Sequence, residues 1–298
     1  MRWAGVLPAI TTPFREDGDV DHPALTAHVR WLLDTGCDGI IPLGSLGEGS
    51  ALSFAEKEAV VRTCVAAAGD KPVVAAIAAA STREAVALAR MAEQAGCRGL
   101  MVLPPYVHSG DAREALAHVA AVIRSVRIGC MLYNNPIAYG ADFKPALVAK
   151  LAADHANLAA VKESSGDARR VTGIKALCGD RLAVFVGLDD MVVEGVAMGA
   201  TGWVAGLVNA LPEESVALFH LARKDLARAA ALYRWFLPLL RMDVVPDFVQ
   251  RIKLVQQAVG RGNERVRGPR LQLEGAERAA ALRLVEAALA ERPVLERA

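Results

Sequence analysis

Lys162 stands at the end of an apolar run, Asn157-Leu158-Ala159-Ala160-Val161, and is followed by the polar stretch Glu163-Ser164-Ser165-Gly166-Asp167. A buried strand that carries a lysine into the mouth of a fold strips part of its water. That disfavours the ammonium form and leaves an amine able to attack a carbonyl carbon near neutral pH. The same lysine could instead reach solvent or pair with a carboxylate, so its meaning depends on its surroundings. A second run, Cys130-Met131-Leu132, ends in Tyr133-Asn134-Asn135-Pro136. A phenol one strand away from the amine can shuttle a proton to and from the carbinolamine that forms when an amine condenses with a ketone. A third run ends Pro42-Leu43-Gly44-Ser45-Leu46-Gly47-Glu48-Gly49. Closely spaced glycines there can present backbone N–H groups to a carboxylate, with the Ser45 hydroxyl as a further donor. Alone, Tyr133 reads as a packed ring and the Gly-rich segment as a plain turn. Together, amine, phenol, hydroxyl and anion-binding turn suit Schiff-base chemistry on a 2-oxo acid. Lys162, Tyr133 and Ser45 form the expected catalytic set, with Gly44, Leu46, Gly47, Asn135 and Ser164 as the expected substrate-binding positions.

Metal-dependent chemistry is poorly served. The six histidines (His22, His28, His108, His118, His155, His220) fall mostly in helical segments and form no HxH or HExxH arrangement, so no metal is expected. Asp189 and Asp190 follow Val186-Gly187-Leu188 and could meet a cation, but Asp189 at a helix start reads better as a cap. The five cysteines (Cys37, Cys64, Cys97, Cys130, Cys178) are odd in number and apolar in setting. Without a CxxC pair they read as buried, reduced thiols.

The elements that must position these residues repeat along the chain. Apolar strands start near Val6, Ile40, Val73, Leu100, Ile128, Leu158, Ala183 and Trp203, at steps of 20 to 34 residues that suit strand-loop-helix units. Three junctions, Gly36-Cys37-Asp38-Gly39, Gly96-Cys97-Arg98-Gly99 and Gly199-Ala200-Thr201-Gly202, read as a helix stop followed by close helix-strand approach. Ser53 with Glu56, Ser81 with Glu84 and Asp111 with Glu114 have capping-box spacing. The runs are uniformly apolar rather than alternating, as in parallel strands covered on both faces. Right-handed crossovers then close them into an α/β fold, a (β/α)8 TIM barrel. A doubly wound open sheet is the main rival. Against it, TTPF rather than a Gly-rich phosphate loop follows the first strand, and no GxGxxG occurs. After Trp203 about 95 residues remain, with helical patterns at 213–226, 226–240, 248–259 and 275–290. The reading is a catalytic barrel over 1–226 and a C-terminal helical extension of the same domain over 227–298. Arg251, Lys253, Arg261, Arg265, Arg267 and Arg270 make that extension basic, and a solvated face is expected of them.

Composition bounds the partners. Of 298 residues, 53% are hydrophobic and 22% charged, which excludes disorder as the main state. Lys and Arg number 34 against 33 Asp and Glu, so no net field draws the chain to nucleic acid or anionic membrane. No secretory signal and no apolar run of about 18 residues is found, so a cytoplasmic location is expected.

The elements GSLGEGS, LPPYV, LYNNP and VKESSG, in this order and at these intervals, resemble the dihydrodipicolinate synthase and N-acetylneuraminate lyase superfamily of class I lyases. The resemblance covers nearly the whole chain. It implies a barrel with a C-terminal helical region, a homotetramer built as a dimer of dimers, and no cofactor. It further implies that Lys162 forms the Schiff base, that Tyr133 is the general acid/base, and that the Ser45-Leu46 turn holds the substrate carboxylate. Three positions depart from the synthases of that superfamily. Ala138 stands where they carry an arginine for the second substrate's carboxylate, Leu46 where they carry a second threonine, and Val107 where they carry a tyrosine that reaches the neighbouring subunit's site. Tyr106 is expected as a packed residue rather than a replacement for that ring. The C-terminal segments VKESSGDARRV, GLDDMVVEGVAMGATGWVAGLVNALP, LYRWFLPLLRMD and PDFVQRIKLVQQAVGRG are similar to the branch that contains 1-pyrroline-4-hydroxy-2-carboxylate deaminase, in hydroxyproline degradation. That branch implies ring opening by Lys162, loss of the C3 proton and C4 hydroxyl, and release of ammonia and 2-oxoglutarate semialdehyde. A site lined by Leu46, Val107 and Ala138 would suit a small substrate with one carboxylate. The alternatives are a 4-hydroxy-tetrahydrodipicolinate synthase or another pyruvate-dependent aldolase, and a non-catalytic metabolite-binding barrel.

Overall fold

The computed structural model describes residues 1–106, 108 and 110–295. At its centre lie seven parallel strands, β1 (Gly5–Pro8), β2 (Val74–Ile77), β3 (Gly99–Val102), β4 (Gly129–Asn134), β5 (Leu158–Glu163), β6 (Ala183–Val186) and β7 (Gly202–Ala205). They pair in the order β1-β7-β6-β5-β4-β3-β2. The gap between β1 and β2 is filled by Ile40-Ile41, where the sequence suggests a full strand. Only two single bridges form there, Ala9 to Ile41 and Ile40 to Val73. Backbone bonds nevertheless run to both sides: Ile41 N–H donates to Pro8 O at 2.7 Å, and Val74 N–H to Ile40 O at 2.9 Å. The circle closes, giving a (β/α)8 barrel with C-terminal helices. Pro42 has no N–H to extend the ladder, and the chain turns at once into Gly44, which keeps this strand short. The other seven starts fall within one residue of those read from the apolar runs. β2, β3 and β7 are buried at every position, as strands sandwiched between core and helices require.

Around the ring lie α1 (His22–Asp34), α2 (Phe54–Ala68), α3 (Thr82–Gln94), α4 (Ala112–Arg124), the one-turn α5 (Pro136–Tyr139), α6 (Pro145–Asp154), α7 (Arg169–Cys178), α8 (Val192–Ala197) and α9 (Pro212–Lys224). Then come α10 (Leu226–Leu240), α11 (Phe248–Ala258) and α12 (Gly275–Ala290). Ser53 and Asp111 form complete capping boxes, whereas Ser81 accepts from Glu84 N–H without the return bond. The helix-stop glycines Gly36, Gly96 and Gly199 sit at φ 102°, 97° and 103°, where a side chain would be strained. Among the described residues no helix is long and apolar enough to cross a membrane. All five cysteines are free. Cys37, Cys64, Cys97 and Cys130 are buried and Cys178 is half-buried, and burial pushes the Cys37 thiol up to about 12.

Only part of the basic set is the solvated face that spacing suggests: Arg261 is exposed, whereas Lys253 and Arg267 turn inward. Lys253 on α11 is 1% exposed. Its Nζ donates to Glu48 Oε1 at 2.6 Å, to Thr12 O at 2.8 Å and to Arg265 O at 2.6 Å. Arg267 reaches Gly18 O at 2.6 Å and pairs with Glu56 at 2.8 Å, while Arg261 lies over the Trp31 ring at 4.5 Å. These cations stitch the extension to the loops after the first strands, where carbonyls and carboxylates would otherwise lack partners.

His28 on α1 is buried against the same end of the barrel. Its Nε2 bonds Asn209 Oδ1 at 2.8 Å, and its Nδ1 has no partner. Burial lowers its pKa from 6.5 to about 4, and the Asn209 bond opposes that only in part. The unfolded chain therefore takes up this proton first as the medium is acidified. Stability from a neutral His28 is present above pH about 6.5 and is lost as pH falls toward 4, by at most about 3 kcal/mol. His28→Gln is expected to flatten the fall of Tm between pH 6.5 and 4. An unchanged slope in thermal unfolding scans would exclude His28 as its source.

Candidate active site

The ends of β4 and β5 bring Tyr133 level with Lys162, and β6 sets Phe185 on the other side of the lysine. Both functional side chains are buried, and Lys162 Nζ lies 4.1 Å from the centroid of the Tyr133 ring. Burial pushes the lysine pKa down, while Asp243, the Tyr139 phenol and Asp189 pull it back up. Burial also pushes the Tyr133 phenol up, against the hydrogen bond it receives from Asn135. The result is an amine inclined to give up its proton beside a phenol inclined to keep its own. That is the polarity an imine-forming site needs.

Asn135 is an expected binding residue whose polar atoms are already in use. Its Nδ2 donates to Tyr133 Oη at 3.1 Å, and its Oδ1 caps α5 by accepting from Ala138 N–H at 3.0 Å. It lines the cavity, but it fixes the phenol and the short helix together. That helix delivers Tyr139, which the sequence reading missed. The Tyr139 hydroxyl is hydrogen-bonded to Ser45 Oγ. Its ring meets Tyr133 edge-on, with centroids 5.6 Å apart and planes at 82°. Burial drives the Tyr139 pKa up. The available signal was Asn-Pro, an N-cap followed by proline at the first helical position, which begins a turn that swings a residue a few places on toward the strand end. The polar chain Ser45–Tyr139–Tyr133 thus arises within one chain. Val107 lies outside the described residues. Tyr106 lines the cavity wall instead of packing away from it.

The Gly-rich turn is held in a shape it would not adopt unaided. Leu43 and Glu48 sit at φ 66° and 53°, a left-handed region that costs non-glycine residues energy. The Glu48 carboxylate, fully buried, is pinned by Lys253 and by Arg267 N–H at 2.9 Å. Gly44, Ser45 and Leu46 line the cavity, and their backbone N–H groups donate to no acceptor among the described residues. Two expected binding residues are not brought to the cavity. Gly47 faces away: its carbonyl accepts from Thr12 Oγ1 at 2.6 Å, and an added Cβ would lie 2.8 Å from Ile10 O. Ser164 is not part of the cavity wall but is fully buried beside Lys162, where its hydroxyl bonds the Tyr133 phenol and a Cβ on Gly187 would collide with it.

Asp189 does not cap its own helical turn. Its carboxylate accepts from Trp203 Nε1 at 2.9 Å, Gly206 N–H at 3.1 Å and Leu207 N–H at 2.7 Å. It therefore caps the 3₁₀ turn Leu207–Asn209 that follows β7. Burial raises its pKa to about 6, against those three donors. Among the described residues no three His, Cys, Asp or Glu side chains converge as a metal site would need.

The cavity measures about 540 Å³. Leu46, Met101, Ala138 and Val244 give it an apolar wall, and Lys162, Asp243 and Arg270 are its charged members. The expectation of a wall from Leu46 and Ala138 holds, but the extension adds a carboxyl and a guanidinium that the motif pattern did not show.

The sequence profile of the Dihydrodipicolinate synthetase family matches residues 2–288. A 4-hydroxy-tetrahydrodipicolinate synthase of Methanothrix thermoacetophila is 36% identical over 239 residues, covering 80% of each chain. One from Acidobacterium capsulatum is 33% identical over the full length of both. A prophage protein of the dihydrodipicolinic acid synthase family from E. coli K12, solved in complex with pyruvate, superposes with a TM-score of 0.90 at 28% identity, covering 97% of this chain and 99% of its own. With motifs, barrel and profile in agreement over nearly its whole length, the chain belongs to the dihydrodipicolinate synthetase family.

Proposed function

We propose that the chain is a lysine-dependent lyase that deaminates and dehydrates 1-pyrroline-4-hydroxy-2-carboxylate to 2-oxoglutarate semialdehyde and ammonia. One observation carries the reading: Lys162 and Tyr133 meet in a cavity whose wall at Ala138 offers a methyl group where a synthase needs a cation. The free N–H groups of Ser45 and Leu46 receive the carboxylate. Lys162 Nζ attacks C2 of the cyclic imine. The C2–N1 bond breaks as Tyr133, relayed through Tyr139 and Ser45, supplies the proton to N1. The resulting iminium acidifies C3, whose proton returns to the Tyr133 phenolate, and the enamine expels the C4 hydroxyl as water. Tautomerisation moves the double bond toward C5. One water then releases ammonia from C5 and another frees Lys162, so the net reaction consumes one water. The iminium on Lys162 is the electron sink, and no cofactor takes part in these steps.

A second reading is favoured by the relatives, which are named 4-hydroxy-tetrahydrodipicolinate synthases, and by the pyruvate held in the E. coli protein. In it Lys162 would activate pyruvate, and Arg270 at the cavity wall would meet the carboxylate of an aldehyde partner. Turnover with the hydroxypyrroline carboxylate and with pyruvate plus aspartate semialdehyde separates the two. Activity with the second pair alone overturns the deaminase proposal. Arg270→Ala is expected to leave pyrroline turnover within about threefold. In a synthase, losing that carboxylate contact would raise KM for the aldehyde by about tenfold or more.

We also propose the homotetrameric assembly implied by family membership. A monomeric sedimentation profile at micromolar concentration would overturn it.

A further inference from the structure

Asp243 closes the 3₁₀ turn Arg241–Asp243 after α10 and lines the same cavity as Lys162 and Tyr133. Its carboxyl lies over the end of β7, where a Cβ on Gly206 would collide with Oδ1. Glycine at that position leaves the space the carboxyl occupies. Asp243 is half-buried, and the fully buried carboxylates near the site are tied down. Asp189 is held by three donors, Glu163 by Asn134 Nδ2 at 2.9 Å and Ser165 N–H at 2.7 Å, and Glu48 by Lys253. Asp243 receives no hydrogen bond and makes no ion pair among the described residues. A structural carboxyl in such surroundings is ordinarily satisfied by donors, whereas one left free on a cavity wall beside a nucleophile can exchange protons with a ligand.

The groups that face it are Lys162, Tyr133, Asp189 and Asp190, the last of which has Arg241 at 3.9 Å. Burial and the negative charge of Asp189 raise the Asp243 pKa well above the ordinary carboxyl value; Lys162 opposes this and Asp190 adds to it. Tyr133 and Asp243 are two acids lining one cavity. The first is committed to the proton traffic at nitrogen and C3.

We propose that Asp243 is the general acid that protonates the departing hydroxyl of the Lys162-bound enamine, which directs the enamine to dehydration instead of carbon–carbon bond formation. The proposal rests on the dehydrating lyase reading above. In the step, the enamine nitrogen lone pair re-forms the C2=N iminium and the C2=C3 pair becomes C3=C4. The C4–O bond breaks, and the Asp243 proton completes the water molecule, leaving a carboxylate. Bulk water restores the proton between turnovers.

The test begins with wild-type protein. If it traps pyruvate under borohydride yet dehydrates no β-hydroxylated 2-oxo or 2-imino acid, the dehydratase reading fails and takes this role with it. That result is visible before any variant is made. With wild-type turnover in hand, Asp243→Asn is expected to retain the borohydride-trapped pyruvate adduct and deuterium exchange at C3, while dehydration falls by about 10²-fold or more. A β-chloro substrate, 4-chloro-2-oxopentanoate, expels chloride without needing a proton, so the variant should eliminate it within about tenfold of wild type. Equal loss on the chloro and hydroxy substrates, loss of the adduct, or unchanged dehydration would each overturn the assignment.

Discussion

Lys162→Ala is expected to lose the borohydride-trapped adduct with a 2-oxo acid entirely and to lower turnover by about 10⁴-fold or more, the scale seen when a covalent nucleophile is removed. The side chain lies in the cavity wall and is 6% exposed, so truncation leaves a space that the substrate itself partly fills. The fold should survive, because Phe185 and Tyr133 flank the position on β6 and β4 and keep the strand register without it. Intact mass and a Tm close to that of wild type would establish that chemistry alone was lost. An adduct that persists in the variant would move the nucleophile elsewhere. No adduct in the wild-type protein would favour a metabolite-binding barrel over an enzyme.

The largest expected loss of stability comes from a residue that never touches substrate. Lys253→Met removes three hydrogen bonds and leaves the fully buried Glu48 carboxylate only the more distant Arg270, 4.0 Å away, as a cation. Breaking a buried pair from one side costs about 3–5 kcal/mol, which for a chain of this size lowers Tm by about 10 °C. Glu48→Gln should cost less, since the amide oxygen still accepts from Lys253 and only the bond from Arg267 N–H is lost. The Lys253→Met/Glu48→Leu double variant should recover part of the loss, because neither charge is then stranded. KM for the 2-oxo acid should rise in Lys253→Met, because the Gly-rich turn proposed to hold its carboxylate loses its anchor. A Tm drop of less than about 2 °C would mean that Glu48 finds solvent or another cation when Lys253 is gone.

What could be read from the chain, and what could not, follows the range of the forces involved. Strand starts and helix stops were legible because they are local: uniform apolar runs, glycines at positive φ, Ser53 and Asp111 three residues before a glutamate. Lys162, Tyr133 and Ser45 were legible because parallel strands in a barrel deliver their ends to one face, whatever the loops do. Gly47 was misread because the Ile10 carbonyl packs against it from a segment far away in sequence, and Ser164 proves to support Tyr133 from behind the wall and not to line it. Tyr139 was missed because a four-residue helix has no periodicity to detect. Asp243 and the Glu48–Lys253 pair were missed for a different reason. The latter joins residues 205 apart in sequence, and only the packing of the extension against the ring brings them together. Lys253 and Arg267 looked like part of a wet surface because sequence records charge but not the carbonyls waiting opposite.

The two-residue pairing at Ile40-Ile41 gives the ring a seam, and the Gly-rich turn grows directly from it. Lys253 bonds Thr12 beyond β1 and Glu48 in the turn after Ile41, so the C-terminal helices act as a buckle between the two. Trimming them would not remove an accessory from a finished barrel; it would loosen the ring where β1 meets Ile40-Ile41.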